Sequence, residues 1–179
     1  MEPVDGPGRP TPTSPYAAAK WASGAYVRMF KERYGLPIST ARVFMVYGPG
    51  TQDDAKLIPY TIKCLLKGEA PQITSGRRLV DWIYVQDVVD GFLRLAFEPK
   101  ADGLTVDLGS GSLTATSDLV RMICKILETN IQPSFGALPD RPLEPGGVAD
   151  IAASQQLIGW SPRTTLAVGL RRTIEFYRQ

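Results

Sequence analysis

SPYAAAK, residues 14–20, sets a tyrosine and a lysine four positions apart behind a Ser-Pro step. Serine caps helix starts and proline suits the first turn, so Ser14 and Pro15 predict a helix opening here. It runs to about Tyr34, with Gly35 as its stop. Positions i and i+4 share a helix face, which brings the Lys20 ammonium near the Tyr16 phenol. A free tyrosine has a pKa of about 10 and is a poor base at neutral pH. A nearby cation favours the phenolate. A tyrosine tuned in this way can take a proton from a sugar hydroxyl while hydride leaves the carbon. The plainer reading is a partly buried aromatic beside a solvated helix charge. The bare Y-x-x-x-K spacing, common by chance, favours the plainer reading, and only its context reverses this.

The chain around this helix alternates strands with helices. Trp21, Ala22, Ala25, Met29 and Phe30 give the first helix a packing face. ISTARVF (38–44) predicts a strand and YGPG (47–50) a tight loop. KLIPYTIKCLLKG (56–68) predicts a helix, PQITSG (71–76) a short strand and VDWIYV (80–85) another extended run. DVVDGFLRLAFEP (87–99) predicts a helix stopped by Pro99, and LTVDLG (104–109) a strand. Thr116 or Ser117 is expected to cap the helix of DLVRMICKILE, whose apolar positions fall on one face. Residues 133–147 read as loop or edge, and LAVGLRRTIEFY (166–177) as a closing helix. Residues 1–13 are Pro/Gly-rich loop. The alternation predicts a parallel α/β layer architecture.

Composition narrows the function classes. The chain has 179 residues with 44% hydrophobic and 21% charged, an ordinary globular balance. A formal charge of +2 argues for neither nucleic acid nor an anionic membrane as partner. No apolar run reaches the roughly 18 residues of a membrane span. The opening MEPVDGPGRP is neither signal nor transit peptide, so a cytoplasmic location is expected. There is no histidine, which removes imidazole from any triad or zinc site. Cys64 and Cys124 are expected to be buried free thiols. Asp81, Asp87 and Asp90 are not read as a metal site: Asp87 is expected to cap a helix and Asp90 to be solvated on it.

Four motifs stand in order: PTSPYAAAK, ARVFMVYGPG, VDWIYVQDVVDG and LIGWSPRTTLAVGLRRTIEFY. Together they resemble the extended short-chain dehydrogenase/reductase family, and within it the NAD-dependent nucleotide-sugar epimerases and dehydratases. The resemblance runs from Glu2 to the C-terminus. It implies a truncated Rossmann-type parallel sheet with helices, plus a small C-terminal substrate-binding α/β lobe. Residues 1–50 and 80–110 would be the remnant of the cofactor-binding domain, and 51–79 and 111–179 the substrate lobe. Tyr16 would be the catalytic acid/base, with Lys20 its tuner and ribose ligand. Tyr16, Lys20 and Phe44 would touch the cofactor. Met45, Lys56, Leu57, Ile73, Ser75, Arg141 and Glu144 would line the site for a nucleotide-diphosphate sugar. Arg141 would grip the diphosphate, for which a guanidinium is well suited, and Glu144 would hold the nucleoside ribose.

The chain departs from the family pattern at two positions. Met45 stands where the family often has Asn, and Val80 where it often has Arg. Lys56, Arg77 or Arg78 could supply the missing charge. The family's strand, glycine-rich turn and pyrophosphate-binding helix have no counterpart. Gly109-Ser110-Gly111 has Thr114 in place of a third glycine and reads as a turn. A fragment or the product of a truncated gene is therefore expected, matching the second half of the family. NAD belongs to the full-length family, and this chain alone is expected neither to bind it tightly nor to turn over. The alternative is a non-catalytic nucleotide-diphosphate-binding or oligomerisation module. A homodimer, or union with a missing N-terminal half, is expected. The type of sugar and the choice among epimerase, dehydratase and reductase are not encoded in these motifs.

Overall fold

The computed structural model describes Pro12 and residues 14–50, 52–140 and 147–179. The chain divides into two compact units, Met1–Ile38 and Ser39–Gln179.

The first unit holds one described helix, α1 (Pro15–Tyr34). Its start follows the expected chemistry: the Ser14 hydroxyl accepts from the Ala17 N–H at 3.1 Å. Gly35, at φ 64°, adopts the left-handed conformation and closes the last turn onto the Lys31 carbonyl. The expected packing face is not buried. Trp21, Met29 and Phe30 each keep a large exposed fraction, and no residue of α1 is fully buried.

The second unit contains β1 (Thr40–Val43), β2 (Met45–Tyr47), α2 (Leu57–Leu66), β3 (Gln72–Ile73), β4 (Leu79–Tyr84) and α3 (Val85–Phe97). A 3-10 turn at Pro99–Ala101 leads to β5 (Thr105–Leu108), β6 (Leu113–Ala115), α4 (Thr116–Leu127), β7 (Ser134–Phe135), α5 (Ile151–Ile158) and α6 (Leu166–Tyr177). The strands form three small sheets: β1 with β5, β2 with β4 and β6, and β3 with β7. All pairs are parallel except β4 with β6.

The strand predicted over 38–44 is β1, and an unpredicted second strand, β2, follows directly after it. β1 pairs with β5, the chain breaks at Phe44, and β2 continues beside β4. Phe44 still donates its N–H to Leu108 at 3.0 Å, so the change of sheet happens at that residue. Tyr47, expected in the following loop, ends β2. Neither Thr116 nor Ser117 caps α4. Thr116 is its first residue and donates its hydroxyl to the Arg78 carbonyl at 3.1 Å instead. α5 and β6 carry no strong periodic signal of their own, and β7 lies inside the predicted loop or edge.

The core follows strand alternation. Val80, Trp82 and Tyr84 of β4 face one side, packing with Ile58 and Ile62 of α2, Leu119 and Ile123 of α4, and Leu170 and Ile174 of α6. Ile83 faces the other side, with Val88 and Leu95 of α3, Val106 and Leu108 of β5, and Trp160. Full burial of such side chains contributes about 1.5–3 kcal/mol each. Gly91 lets α3 lie close against Leu108 and Trp160, where any Cβ would collide. Both cysteines are free, as expected, but only partly buried.

Candidate functional site

On α1, Lys20 Nζ lies 5.5 Å from the centroid of the Tyr16 ring, as the i, i+4 spacing requires. Tyr16 is 72% exposed, so its phenol is open to a reactant. The remaining expected residues that are described belong to the second unit. Phe44 occupies the break between β1 and β2, and Met45 opens β2. The Phe44 ring lies against Gly109 and Gly147, two positions without a side chain. Met45 is 38% exposed and pairs through its backbone with Trp82. Its thioether offers no strong hydrogen bond at this open position.

Lys56 is the N-cap of α2, with its side chain in solvent and no side-chain cap bond. Leu57 follows, partly buried against the core. Ile73 on β3 is buried, and Ser75 follows that strand. The Ser75 N–H donates to Asp140 Oδ1 at 3.0 Å. The Ser75 hydroxyl and then its amide hold the Asp140 carboxyl below the usual carboxylate range, and the charge of Arg77 adds to this. The end of β3 is thus tied to the residue that precedes Arg141. Arg141 and Glu144 lie outside the described residues. Arg77 and Arg78 are exposed. Val80 is packed in the core, so its departure from the family pattern removes a charge without opening a gap.

The carboxylates have roles that the sequence reading missed. Asp81 is 2% exposed and accepts from Ser110 N at 2.6 Å, Ser110 Oγ at 2.7 Å, Gly111 N at 3.0 Å and Ala149 N at 3.0 Å. It shapes the turn after β5. Asp87 does not cap α3. It is buried and accepts from the backbone N–H groups of Arg163 (3.2 Å) and Thr164 (3.0 Å). Its carbonyl also takes the Trp160 indole N–H at 3.1 Å. Asp90 is half-buried and accepts from Gln86. No group of metal-ligating side chains stands together among the described residues. A signal was available for Asp81: one carboxylate in the otherwise apolar run VDWIYV must find donors, because a buried unpaired charge is costly.

The turn at Gly109-Ser110-Gly111 also tests the fit to a dinucleotide. A pyrophosphate cradle needs free backbone N–H groups. Here the N–H groups of Ser110 and Gly111 are taken by a carboxylate, which repels a phosphate. Gly109 itself is closed in by Ala149, Phe44 and Asp81. The turn therefore does not fit a pyrophosphate.

No described helix is long and apolar enough to cross a membrane. Comparison with known proteins agrees with the fold. The chain is 34% identical to the UDP-glucose 4-epimerase of Mycolicibacterium smegmatis, covering 93% of this chain and 54% of that protein. It is 33% identical to the dTDP-glucose 4,6-dehydratase 1 of Escherichia coli, covering 93% of this chain and 48% of that protein. The chain thus spans about half the length of these curated relatives. The crystal structure of UDP-glucuronic acid 4-epimerase from Bacillus cereus, in complex with UDP-glucuronic acid and NAD, superposes with a TM-score of 0.86 at 26% identity. That match covers 96% of this chain and 55% of the other. Residues 2–109 match the NAD dependent epimerase/dehydratase family. With this match over more than half its length, the chain belongs to the NAD dependent epimerase/dehydratase family.

Proposed function

We propose that this chain carries the acid–base pair and the nucleotide-diphosphate-sugar lobe of an NAD-dependent nucleotide-sugar epimerase or dehydratase. The observation that carries the reading is the Ser14-capped helix, which holds Lys20 over an exposed Tyr16 in a member of this family. Tyr16 exchanges a proton with a sugar hydroxyl, and Lys20 beside it donates to a ribose. Phe44 stands at the cofactor side. Met45, Lys56, Leu57, Ile73, Ser75, Arg141 and Glu144 serve the nucleotide sugar, with Arg141 on the diphosphate and Glu144 on the ribose. We assign residues 1–50 and 80–110 to the cofactor side and 51–79 and 111–179 to the substrate side.

The turn filled by Asp81 supports a second element of the proposal. The 179-residue chain does not bind NAD tightly and does not turn over alone, so no hydride step is assigned to it. β1 has β5 as its only sheet partner among the described strands. Val89, Phe92, Leu93 and Phe97 of α3 are exposed. An open edge and an apolar face favour association, so a homodimer, or union with a chain bearing the other half, follows.

Calorimetric titration tests the reading. Titration with NAD is expected to show no micromolar binding, and titration with UDP or dTDP to show weak binding that Arg141→Ala abolishes. Micromolar NAD binding, or NAD-dependent turnover by the pure chain, overturns the inactivity. No nucleotide binding at millimolar ligand overturns the assignment of the lobe.

A further inference from the structure

The path from β2 into α2 is held from the far end of the chain. Tyr47, the last residue of β2, donates its hydroxyl to the Leu166 carbonyl at 3.3 Å, in the first turn of α6. Tyr177, the last residue of α6, donates its hydroxyl to the Gly50 carbonyl at 3.3 Å. Lys63 of α2 lies 5.6 Å from the Tyr177 ring centroid and pairs with Asp54. Burial pushes the Tyr177 phenol above its usual pKa, so its hydrogen stays available to the Gly50 carbonyl. A single helix therefore grips the strand end and the loop that follows it, and the ring at its end sits under the cation that pairs with Asp54. Lys56 follows two residues later, its N–H bonded to the Asp53 carbonyl at 2.9 Å.

We infer that Tyr177 is a positioning residue: through Gly50 and Lys63 it sets the chain path into α2, and with it the Lys56–Leu57 end of the nucleotide-diphosphate site. The inference rests on the substrate-lobe reading above for the role of Lys56, but the tie itself does not. A residue near the C-terminus thereby governs a binding element more than a hundred positions earlier.

The test uses the full chain with Tyr177→Phe, which keeps the ring and deletes only the oxygen. Lys63→Gln is the second variant, removing the ion pair and the cation over the ring. Hydrogen exchange of peptides spanning 48–56 and titration with UDP and dTDP are measured on the same samples. Tyr177→Phe is expected to speed exchange of that segment about threefold to tenfold, the factor for one net hydrogen bond, and to weaken nucleotide binding by a similar factor. Lys63→Gln is expected to act in the same direction. Faster local exchange in a chain that binds no nucleotide supports the tie and overturns the nucleotide assignment instead. Unchanged exchange over 48–56 overturns the tie. Faster exchange with unchanged nucleotide affinity overturns the positioning role, as does a uniform rise in exchange across the whole unit.

Discussion

Arg42 and Asp107 face each other in register across the parallel β1–β5 pair. Arg42 Nε meets Asp107 Oδ1, and Arg42 Nη2 meets Asp107 Oδ2, both at 2.7 Å. The carboxylate is buried while the guanidinium is largely exposed. Asp107 Oδ2 also accepts from the Asp150 N–H at 3.0 Å, and the Asp107 carbonyl takes the Ser154 hydroxyl at 2.7 Å. The pair thus joins both strands to the start of α5. Hydrogen bonding to Asp107 raises the Arg42 pKa above its already high value, against the effect of burial. Arg42→Met leaves Asp107 with fewer donors, and is expected to cost about 1–2 kcal/mol, less than a fully buried pair because the arginine is solvated. The shift of the urea midpoint at constant m-value reads this directly.

Asp81→Asn tests the other carboxylate clamp. The amide keeps one acceptor oxygen but turns an NH₂ group toward N–H donors from Gly111 and Ala149. Unpaired buried donors each cost about 1–3 kcal/mol. A loss of at least about 2 kcal/mol is expected by urea denaturation, with faster hydrogen exchange at Ser110, Gly111 and Ala149. A neutral substitution would show that the turn holds itself.

Gly169→Ala is expected to reverse a familiar sign. In an exposed helix interior the change gains up to about 1 kcal/mol. On α6 the added methyl would run into the Tyr47 hydroxyl and the Tyr84 ring. Overpacking of this kind costs about 1–3 kcal/mol. Tyr47→Phe, which removes the nearest atom, is expected to recover part of the loss in a double-mutant cycle.

The same tyrosine predicts a pH dependence. Burial raises the Tyr47 phenol above its ordinary pKa, with smaller contributions from Asp87 and Tyr84. The unfolded chain therefore loses this proton first. The stabilisation is complete below about pH 10, the unfolded value, and is lost as pH rises from there toward the folded value. The urea midpoint of the wild type is expected to fall more steeply above about pH 10 than that of Tyr47→Phe. Tyr177 shifts in the same direction, so the slope is reduced rather than abolished.

For the chemistry, Tyr16→Phe is the decisive change. In a complex that contains both this chain and a cofactor-binding half, turnover is expected to fall about 10²–10⁴-fold, the usual worth of a positioned acid or base. The affinity for the nucleotide sugar is expected to stay within a factor of about two, since the phenol oxygen acts mainly in the transition state. Equal losses in turnover and affinity would make Tyr16 a binding residue instead.

The sequence by itself determined most of the local elements, β2, β6 and α5 excepted, and the pairing of Tyr16 with Lys20. Those depend on caps, glycine stops and the 3.6-residue period, all of which act within a few positions. Pro15, Gly35 and the apolar stripe of α4 therefore read correctly. It also determined the family, because four motifs in order over-specify the answer. Only the tertiary structure decided where ISTARVFMVY divides: the break at Phe44 depends on which strand lies alongside, β5 before it and β4 after it. It decided the fate of the aspartates as well. Asp81, Asp87 and Asp107 look alike in sequence, each a charge beside apolar residues, yet their donors come from segments 29, 76 and 65 positions away. A buried carboxylate is tolerated only where such distant N–H groups converge, and chain topology alone brings them together.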